Sequence, residues 1–297
     1  MIRGMVSIVI PSYNGEETIS EVVESALNQD YTNTEVIVVD DNGDGTEHQI
    51  ATEKALSKYQ DDSKFIYIKH SHNKNGSAAR NTGINKSNGE FIAFLDDDYY
   101  YPQKISKCVR ALENKDDSFG FVYTAYDLYY PGKRTITVAP NEYGDILESF
   151  MLGKIRLCSS SVMLKRKVVD EFNGFDETFK RHQDWEFLIR IMSKYKAVYI
   201  DEVLMKKVML RRNSPVKPET VEEYRLHFLK KIKPYVISRN KTVVSKFFDR
   251  HYYDIAKGYL KVGNIKKAIY WIRKTHNPVY YVIKIIPDAI AYIHHWN

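Results

Sequence analysis

Cysteine is scarce in this chain: of 297 residues only Cys108 and Cys158 are present, both in apolar contexts and without metal-ligand spacing. They are expected to be small buried hydrophobes in a reducing compartment rather than a disulfide framework. Proline is also sparse, at 9 residues, which together with 43% hydrophobic content argues against disorder. Long apolar runs are missing. The richest, Val279 to Ile293, is broken by Lys284, Pro287 and Asp288, and falls short of the roughly 20 residues that span a bilayer. The opening residues Met1 to Met5 hold no apolar core or cleavage site, so no signal peptide is expected. Nor does a glycine-rich phosphate loop follow the first strand-like run, where Pro11-Ser12-Tyr13-Asn14 stands instead, which disfavours a nucleotidyltransferase. No recognised nucleic-acid-binding motif occurs.

Acidic residues thin out towards the end. Residues 1–204 carry 24 Lys+Arg and 32 Asp+Glu, a net of −8, whereas residues 205–297 carry 20 and 6, a net of +14. The tail is thus a different surface from the rest. It suggests an anionic partner, either nucleic acid or a membrane with acidic headgroups.

What is present begins with an α/β rhythm. Val6-Ser7-Ile8-Val9-Ile10 is a β-branched run closed by Pro11, and Ile19, Val22, Val23, Ala26 and Leu27 then trace the stripe of an amphipathic helix. Glu35 to Val39 reads as a second strand, completing a βαβ unit whose apolar strands imply a parallel sheet covered on both faces. A helix at about 46–60, strands at Phe65 to Ile68 and Phe91 to Leu95, a helix through Ile105, Cys108, Val109 and Leu112, and a strand at Phe119 to Tyr123 extend the rhythm to about residue 126. Residues 126–161 are irregular, with a hairpin-like Tyr129 to Arg134. A strand at Ser161 to Leu164 follows, then a helix ended at Asn173-Gly174 and one beginning near Gln183-Asp184-Trp185.

Candidate site residues gather at strand ends. Asp40-Asp41-Asn42-Gly43-Asp44-Gly45-Thr46 superficially matches a calcium loop, but the glutamate required at position 12 is Ala51. What remains is a carboxylate-rich loop where open α/β sheets bind ligands. Asp96-Asp97-Asp98 ends an apolar strand. In extended chain Asp96 and Asp98 share a face, which suits a hard divalent cation or is simply an acidic turn. Arg80, near a helix start, is placed to meet a phosphate or a base. Asp184 falls in the first turn of its helix, where amides and the dipole favour an ionised carboxylate of lowered basicity, either a cap or a general base.

In this order the motifs resemble the family 2 inverting glycosyltransferases of the GT-A fold. The segments concerned are Val6 to Asn14, Val39 to Thr46, Asn75 to Gly83, Phe94 to Asp98, Gly174 to Glu177 and Gln183 to Phe187. The resemblance covers roughly residues 5–215 and implies a Rossmann-like, mostly parallel sheet flanked by helices. It implies a catalytic domain over 1–214, with a nucleotide-sugar half (1–126) and an acceptor half (127–214), ahead of a basic helical extension (215–297). Pro11, Tyr13, Glu17 and Asp41 would line the base and ribose pocket, with Arg80 and Asp96 near the nucleotide. Asp98 and Asp96 would hold Mn2+ or Mg2+, Asp184 would deprotonate the acceptor, and Asp176, Glu177 and Trp185 would lie on the acceptor side.

Relatives often supply a histidine within the segment matching Val208 to Ser214, and none occurs here, so Arg211 or Arg212 would neutralise the diphosphate. Tyr99-Tyr100-Tyr101 after the acidic triplet is read as mainly packing. The expected partners are a nucleotide-sugar, most readily a UDP-sugar, and a carbohydrate or lipid-linked acceptor for surface polysaccharide, glycolipid or teichoic-acid-type synthesis. The expected location is cytoplasmic, peripheral on the inner membrane face through 215–297. The competing reading is a non-catalytic nucleic-acid or membrane scaffold using the basic tail, and an oligomer is left open. Within that tail Tyr252 to Ile269 reads as a helix–turn–helix of the tetratricopeptide kind.

Overall fold

A computed structural model of the chain describes residues 1–209 and 216–294. Two compact units emerge, Met1–Phe150 with Lys154–Arg211, and Met151–Gly153 with Arg212–Asn297.

The first unit opens with β1 (Ile2–Ser12), α1 (Ile19–Leu27), β2 (Thr34–Asp40), α2 (Glu47–Leu56), β3 (Phe65–Lys69), α3 (Gly76–Lys86) and β4 (Gly89–Phe94). β1 pairs in parallel with β2 and with β4, and β2 with β3. The interiors of β1, β2 and β4 are buried on both faces, which is why these strands are continuous apolar runs rather than alternating ones. α1 covers one face with Ile19, Val22, Val23 and Ala26, the stripe expected from the sequence. Thr46 caps α2 by accepting from the Gln49 amide, and Asn75 caps α3 by accepting from Ser77 and Ala78.

Then come β5 (Tyr99–Tyr100), α4 (Lys104–Glu113), β6 (Phe119–Tyr129), β7 (Ile136–Val138), α5 (Leu147–Met151), β8 (Val162–Lys165), α6 (Arg166–Glu171), α7 (Gln183–Met192) and β9 (Lys196–Val208). The sheet runs β3-β2-β1-β4-β8-β6-β9-β5, with β7 on β6. Beyond β4 it is mixed: β8 lies antiparallel between β4 and β6, while β6 and β9 are parallel. The irregular stretch after residue 126 thus contains the β6–β7 hairpin, whose turn holds Gly132 at φ 75°. The tyrosine run is a two-residue edge strand on β9. Tyr100 is buried and donates to the Phe94 carbonyl, while Tyr99 donates to Glu21.

The chain steps outwards from β1 to β2 and β3, then crosses back to β4 on the other side of β1. The loops after β1 and β4 therefore diverge, opening a crevice at the carboxyl ends of the parallel strands. α3 closes down on this sheet at Gly83, where a Cβ would stand 2.3 Å from a Val9 methyl.

The second unit contains α8 (Pro218–Val236), α9 (Lys241–Leu260), α10 (Ile265–Arg273) and α11 (Pro278–His294). α9 and α10 form the expected helical hairpin, turned at Gly263 (φ 76°), with Asn264 capping α10. Their core joins Tyr253, Ala256, Tyr259, Ala268, Trp271 and Ile272 with Tyr281 of α11.

The close approach of α3 to β1 leaves no space for a methyl group at Gly83. Gly83→Ala is expected to cost about 1–3 kcal/mol in urea denaturation, and adding Val9→Ala is expected to make the two changes clearly non-additive.

Candidate active site

The crevice is a cavity of about 800 Å³ lined by Pro11 and Ser12 at the end of β1 and Tyr13 after it, Asp41 after β2, residues 73–75 leading into α3, Gly76, Ala79 and Arg80 of α3, Asp96 and Asp97 after β4, and Lys180 and Gln183 at the head of α7. A smaller cavity of about 290 Å³ lies among Met1, Arg3, Glu90 and Lys165, at the opposite, amino-terminal ends of the parallel strands. In the larger one Pro11, Tyr13, Asp41, Arg80 and Asp96 come together from sequence positions up to 85 residues apart, because each lies at or just after the carboxyl end of a parallel strand or in the helix beside one. Tyr13 is 55% exposed, an open aromatic face at the rim. Glu17 is exposed but is not among the lining residues, and its neighbour Glu16 contacts His48 of α2 at 2.7 Å.

Asp41 is 2% exposed and gathers the following loop around itself. Its Oδ1 contacts His70 Nδ1 at 2.7 Å and accepts from the Lys74 amide at 2.8 Å. Its Oδ2 accepts from Asn73 Nδ2 at 3.0 Å and from the Asn75 amide at 2.9 Å. A carboxylate offers about four lone-pair positions, so donation from a base imide would require one of these groups to give way.

Arg80 is the centre of the site. One terminal nitrogen donates to Asp96 at 2.6 Å, and the other donates to Gln183 Oε1 at 3.1 Å and the Gly76 carbonyl at 3.2 Å. Its guanidinium lies 5.3 Å from the centre of the Phe175 ring. Its buried Nε has no hydrogen-bond partner, and neither does Ser12 Oγ in the same lining. Since α7 begins at Gln183, Arg80 ties the acidic loop after β4 to the helix that carries Asp184.

The acidic triplet does not continue the strand: β4 ends at Phe94, and the Asp98 amide donates back to the Asp96 carbonyl at 2.7 Å. The two carboxylates are associated by this bend and by Ser160, rather than by extended alternation. Ser160 Oγ accepts from the Asp96 amide at 3.1 Å and donates to Asp98 Oδ2 at 2.6 Å. Asp98 is only 2% exposed; its Oδ1 accepts from the Val208 amide at 3.1 Å, and Lys207 Nζ lies 3.4 Å from its Oδ2. Burial raises the Asp98 carboxyl above its ordinary pKa, with the Asp96 charge adding to this and Lys207 opposing it.

The donor chemistry fits a hard divalent cation, which needs only one or two carboxylates when substrate phosphates complete its shell. Asp98 and the partly exposed Asp96 would hold it. Among the described residues no group of three or more His, Cys, Asp and Glu is arranged for a metal. Arg211 and Arg212 lie outside the described residues.

Asp184 occupies the first turn of α7 and accepts from the Trp185 amide at 2.9 Å. The sequence predicts a carboxylate made less basic by helix amides. In the structure burial outweighs them, raising its pKa, with Asp96 adding to the shift and Arg80 opposing it. Trp185 packs against Phe150 and His182, at ring separations of 6.1 and 5.6 Å. Asp176 accepts from the Thr178 amide and hydroxyl, and Glu177 accepts from Asn81 Nδ2 at 2.8 Å, so both are bound into the turn ahead of α7.

That turn hangs on contacts absent from the sequence reading. Arg190 forms a buried ion pair with Glu186 at 2.5 Å and donates to the carbonyls of Phe172 and Gly174 at 2.7 and 2.8 Å. Asn81 grips the backbone of Phe175 through both its Oδ1 and its Nδ2. Gln183, Gly76 and Asn81 fell within recognised motifs without a role. Ser160 and Lys207 carried no local signal, one lying in irregular chain and the other in an ordinary basic strand end.

The sequence model described as "Glycosyl transferase family 2" matches residues 7–172. The chain belongs to that family. Among family members, the Erwinia amylovora "Amylovoran biosynthesis glycosyltransferase AmsB" is 29% identical over 243 residues, 79% of each chain. The Escherichia coli "UDP-Glc:alpha-D-GlcNAc-diphosphoundecaprenol beta-1,3-glucosyltransferase WfaP" is 34% identical over 64% of this chain and 71% of its own. An uncharacterized glycosyltransferase of Rickettsia bellii is 31% identical over 68% of this chain, which spans only 29% of that longer protein. Of solved structures, S. aureus TarS 1–349 in complex with UDP-GlcNAc superposes with a TM-score of 0.70 at 17% identity, covering 94% of this chain and 81% of that one. The Pyrobaculum calidifontis mannosyltransferase PcManGT, in complex with GDP-Man and Mn2+, gives 0.57 at 18% identity, covering 98% and 82%. The fold is GT-A, a mixed α/β sheet with flanking helices followed by C-terminal helices.

The Glu186–Arg190 pair supports the turn ahead of α7 through the carbonyls of Phe172 and Gly174. Glu186→Ala leaves the Arg190 guanidinium buried without its counter-charge and is expected to cost about 3–5 kcal/mol, measured by urea denaturation.

Proposed function

We propose that this family 2 glycosyltransferase transfers a sugar from a nucleotide-sugar, a UDP-sugar before others, to a hydroxyl acceptor with inversion. The product class would be surface polysaccharide, glycolipid or teichoic-acid-type polymer. The observation that carries the reading is Arg80, which joins Asp96 to the head of the Asp184 helix across one cavity. A donor and an acceptor bound on the two sides of that tie would be held in a fixed relation, the condition for single displacement.

In this reading Pro11 and Tyr13 take the base, with Tyr13 offering a stacking face and Asp41 shaping the floor through the 70–75 loop. Arg80 meets the negative charge of the nucleotide. A bound Mn2+ or Mg2+ supplies a Lewis acid for the leaving diphosphate. Asp184 takes the acceptor proton, and the rise in its pKa on burial makes it a stronger base than an ordinary aspartate. Asp176, Glu177 and Trp185 form the acceptor wall, and Arg211 and Arg212 are proposed as further diphosphate contacts. The UDP-Glc donor in the name of WfaP and the UDP-GlcNAc bound to TarS support the donor class; the amylovoran and diphosphoundecaprenol names support the acceptor class.

The second unit suits an anionic membrane surface. No described helix is long and apolar enough to cross a membrane. Yet Ile265, Ile269 and Tyr270 of α10 and Val279, Tyr280, Val282, Ile283 and Ile286 of α11 are exposed. Residues 255–287 carry seven Lys and Arg and no Asp or Glu. Apolar side chains beside unopposed positive charge match an interfacial segment on acidic headgroups. The same patch set against its own copy would bring like charges together, which disfavours self-association through it.

Asp184→Asn should leave nucleoside diphosphate binding by calorimetry unchanged while lowering transfer by on the order of 100-fold or more. Transfer at the wild-type rate would remove Asp184 from the role of base. Because burial raises the Asp184 pKa, the unprotonated base is lost on acidification at a higher pH than for a free aspartate. The acidic limb of the rate profile should therefore lie above about pH 4. The full-length protein should sediment with vesicles containing phosphatidylglycerol and not with pure phosphatidylcholine, and the Val279→Glu, Ile283→Glu variant should stay in the supernatant.

A further inference from the structure

We propose that Lys207 is a resident counter-cation for the donor's diphosphate, paired with Asp98 when no nucleotide is bound and turned to the phosphates when one is. This rests on the nucleotide-sugar reading above. The two adjacent lysines just before the end of β9 have opposite surroundings, as alternation along a strand requires. Lys206 lies against the rings of Tyr99 and Tyr129, at 4.5 and 5.7 Å. Lys207 faces the acids: its ammonium is 3.4 Å from Asp98 Oδ2 and interacts electrostatically with Asp96 and Asp184. Its position is held from the backbone, because the adjacent Val208 amide donates to the other oxygen of Asp98.

The charge balance around the site gives this lysine a task. Among the described residues, Arg80 and Lys207 interact with the charges of the acidic group Asp96, Asp98 and Asp184. Arg80 is fastened at both ends, to Asp96 and to Gln183 and Gly76. Among the described residues Lys207 has its polar contact with Asp98, its side chain is 26% exposed, and an ammonium on a four-carbon stem has three donors it can redirect. A diphosphate entering beside Asp96 and Asp98 adds negative charge next to it. A divalent cation held by the two aspartates would compete with Lys207 for Asp98 and so leave the ammonium available to phosphate. Without the cation, Lys207 would still offset part of the phosphate charge, so part of the diphosphate affinity should persist when metal is removed.

The test is calorimetric titration of the full-length protein with UDP and with uridine, in Mn2+ and in EDTA. Wild type should still bind UDP in EDTA, and more tightly than uridine. Lys207→Met and Lys207→Gln should lose roughly 10- to 100-fold in UDP affinity in EDTA, the scale of a lost charged hydrogen bond, with a smaller loss in Mn2+, while Lys206→Met changes nothing. Wild type that binds UDP in EDTA no better than uridine overturns the proposal without any variant. So does a Lys207→Gln protein that matches wild type in EDTA. If wild type binds none of UDP, GDP, ADP and CDP with or without Mn2+, the donor reading itself fails and this inference falls with it.

Discussion

The site depends on one guanidinium. Arg80 is buried in α3, and each of its ends meets a different part of the fold: Asp96 after the central strand, and Gln183 at the head of α7. A planar group with five donors in a fixed fork can make such a bridge with defined geometry, where a lysine would provide only a point charge. Everything that positions α3 therefore positions the Arg80 bridge across the crevice. Gly83 lets the helix settle on Val9, Asn75 caps its first turn, and Asn81 grips Phe175 from its far side.

Burial and charge then divide the carboxylates by role. Asp41 is saturated by donors from its own loop and acts on the site by holding that loop. Asp96 is partly exposed and paired with Arg80. Burial raises the pKa of both Asp98 and Asp184, so each holds a proton more readily than a solvated carboxylate. Four aspartates of identical chemistry are thus distinguished by what surrounds them.

Much of the frame was legible in order along the chain. Parallel strands buried on both faces must be apolar throughout, so β1, β2 and β4 announced themselves, and the ligand loops follow at their carboxyl ends by topology. The amphipathic stripe of α1 is local, set within two helix turns. The mixed half of the sheet was less legible: β5 is two residues long, and β8 owes its antiparallel place to pairings that residues 126–161 do not signal. The same holds for the helical hairpin of α9 and α10, visible in outline from Tyr252 to Ile269, and for its exposed apolar face, which emerged only once the buried side was known.

By itself the amino-acid sequence determined the βαβ rhythm, the succession of acidic loops and the contrast between an acidic body and a basic tail, because these depend on residue type and short-range spacing. The tertiary structure decided which acids meet which bases. Ser160, Lys207 and the Val208 amide lie 62 to 110 residues from Asp98, and no local pattern reports a contact over that separation. It also decided the direction in which Asp184 shifts. The helix start that lowers a carboxyl pKa is written in the sequence, but the burial that overrides it comes from the elements folded around it.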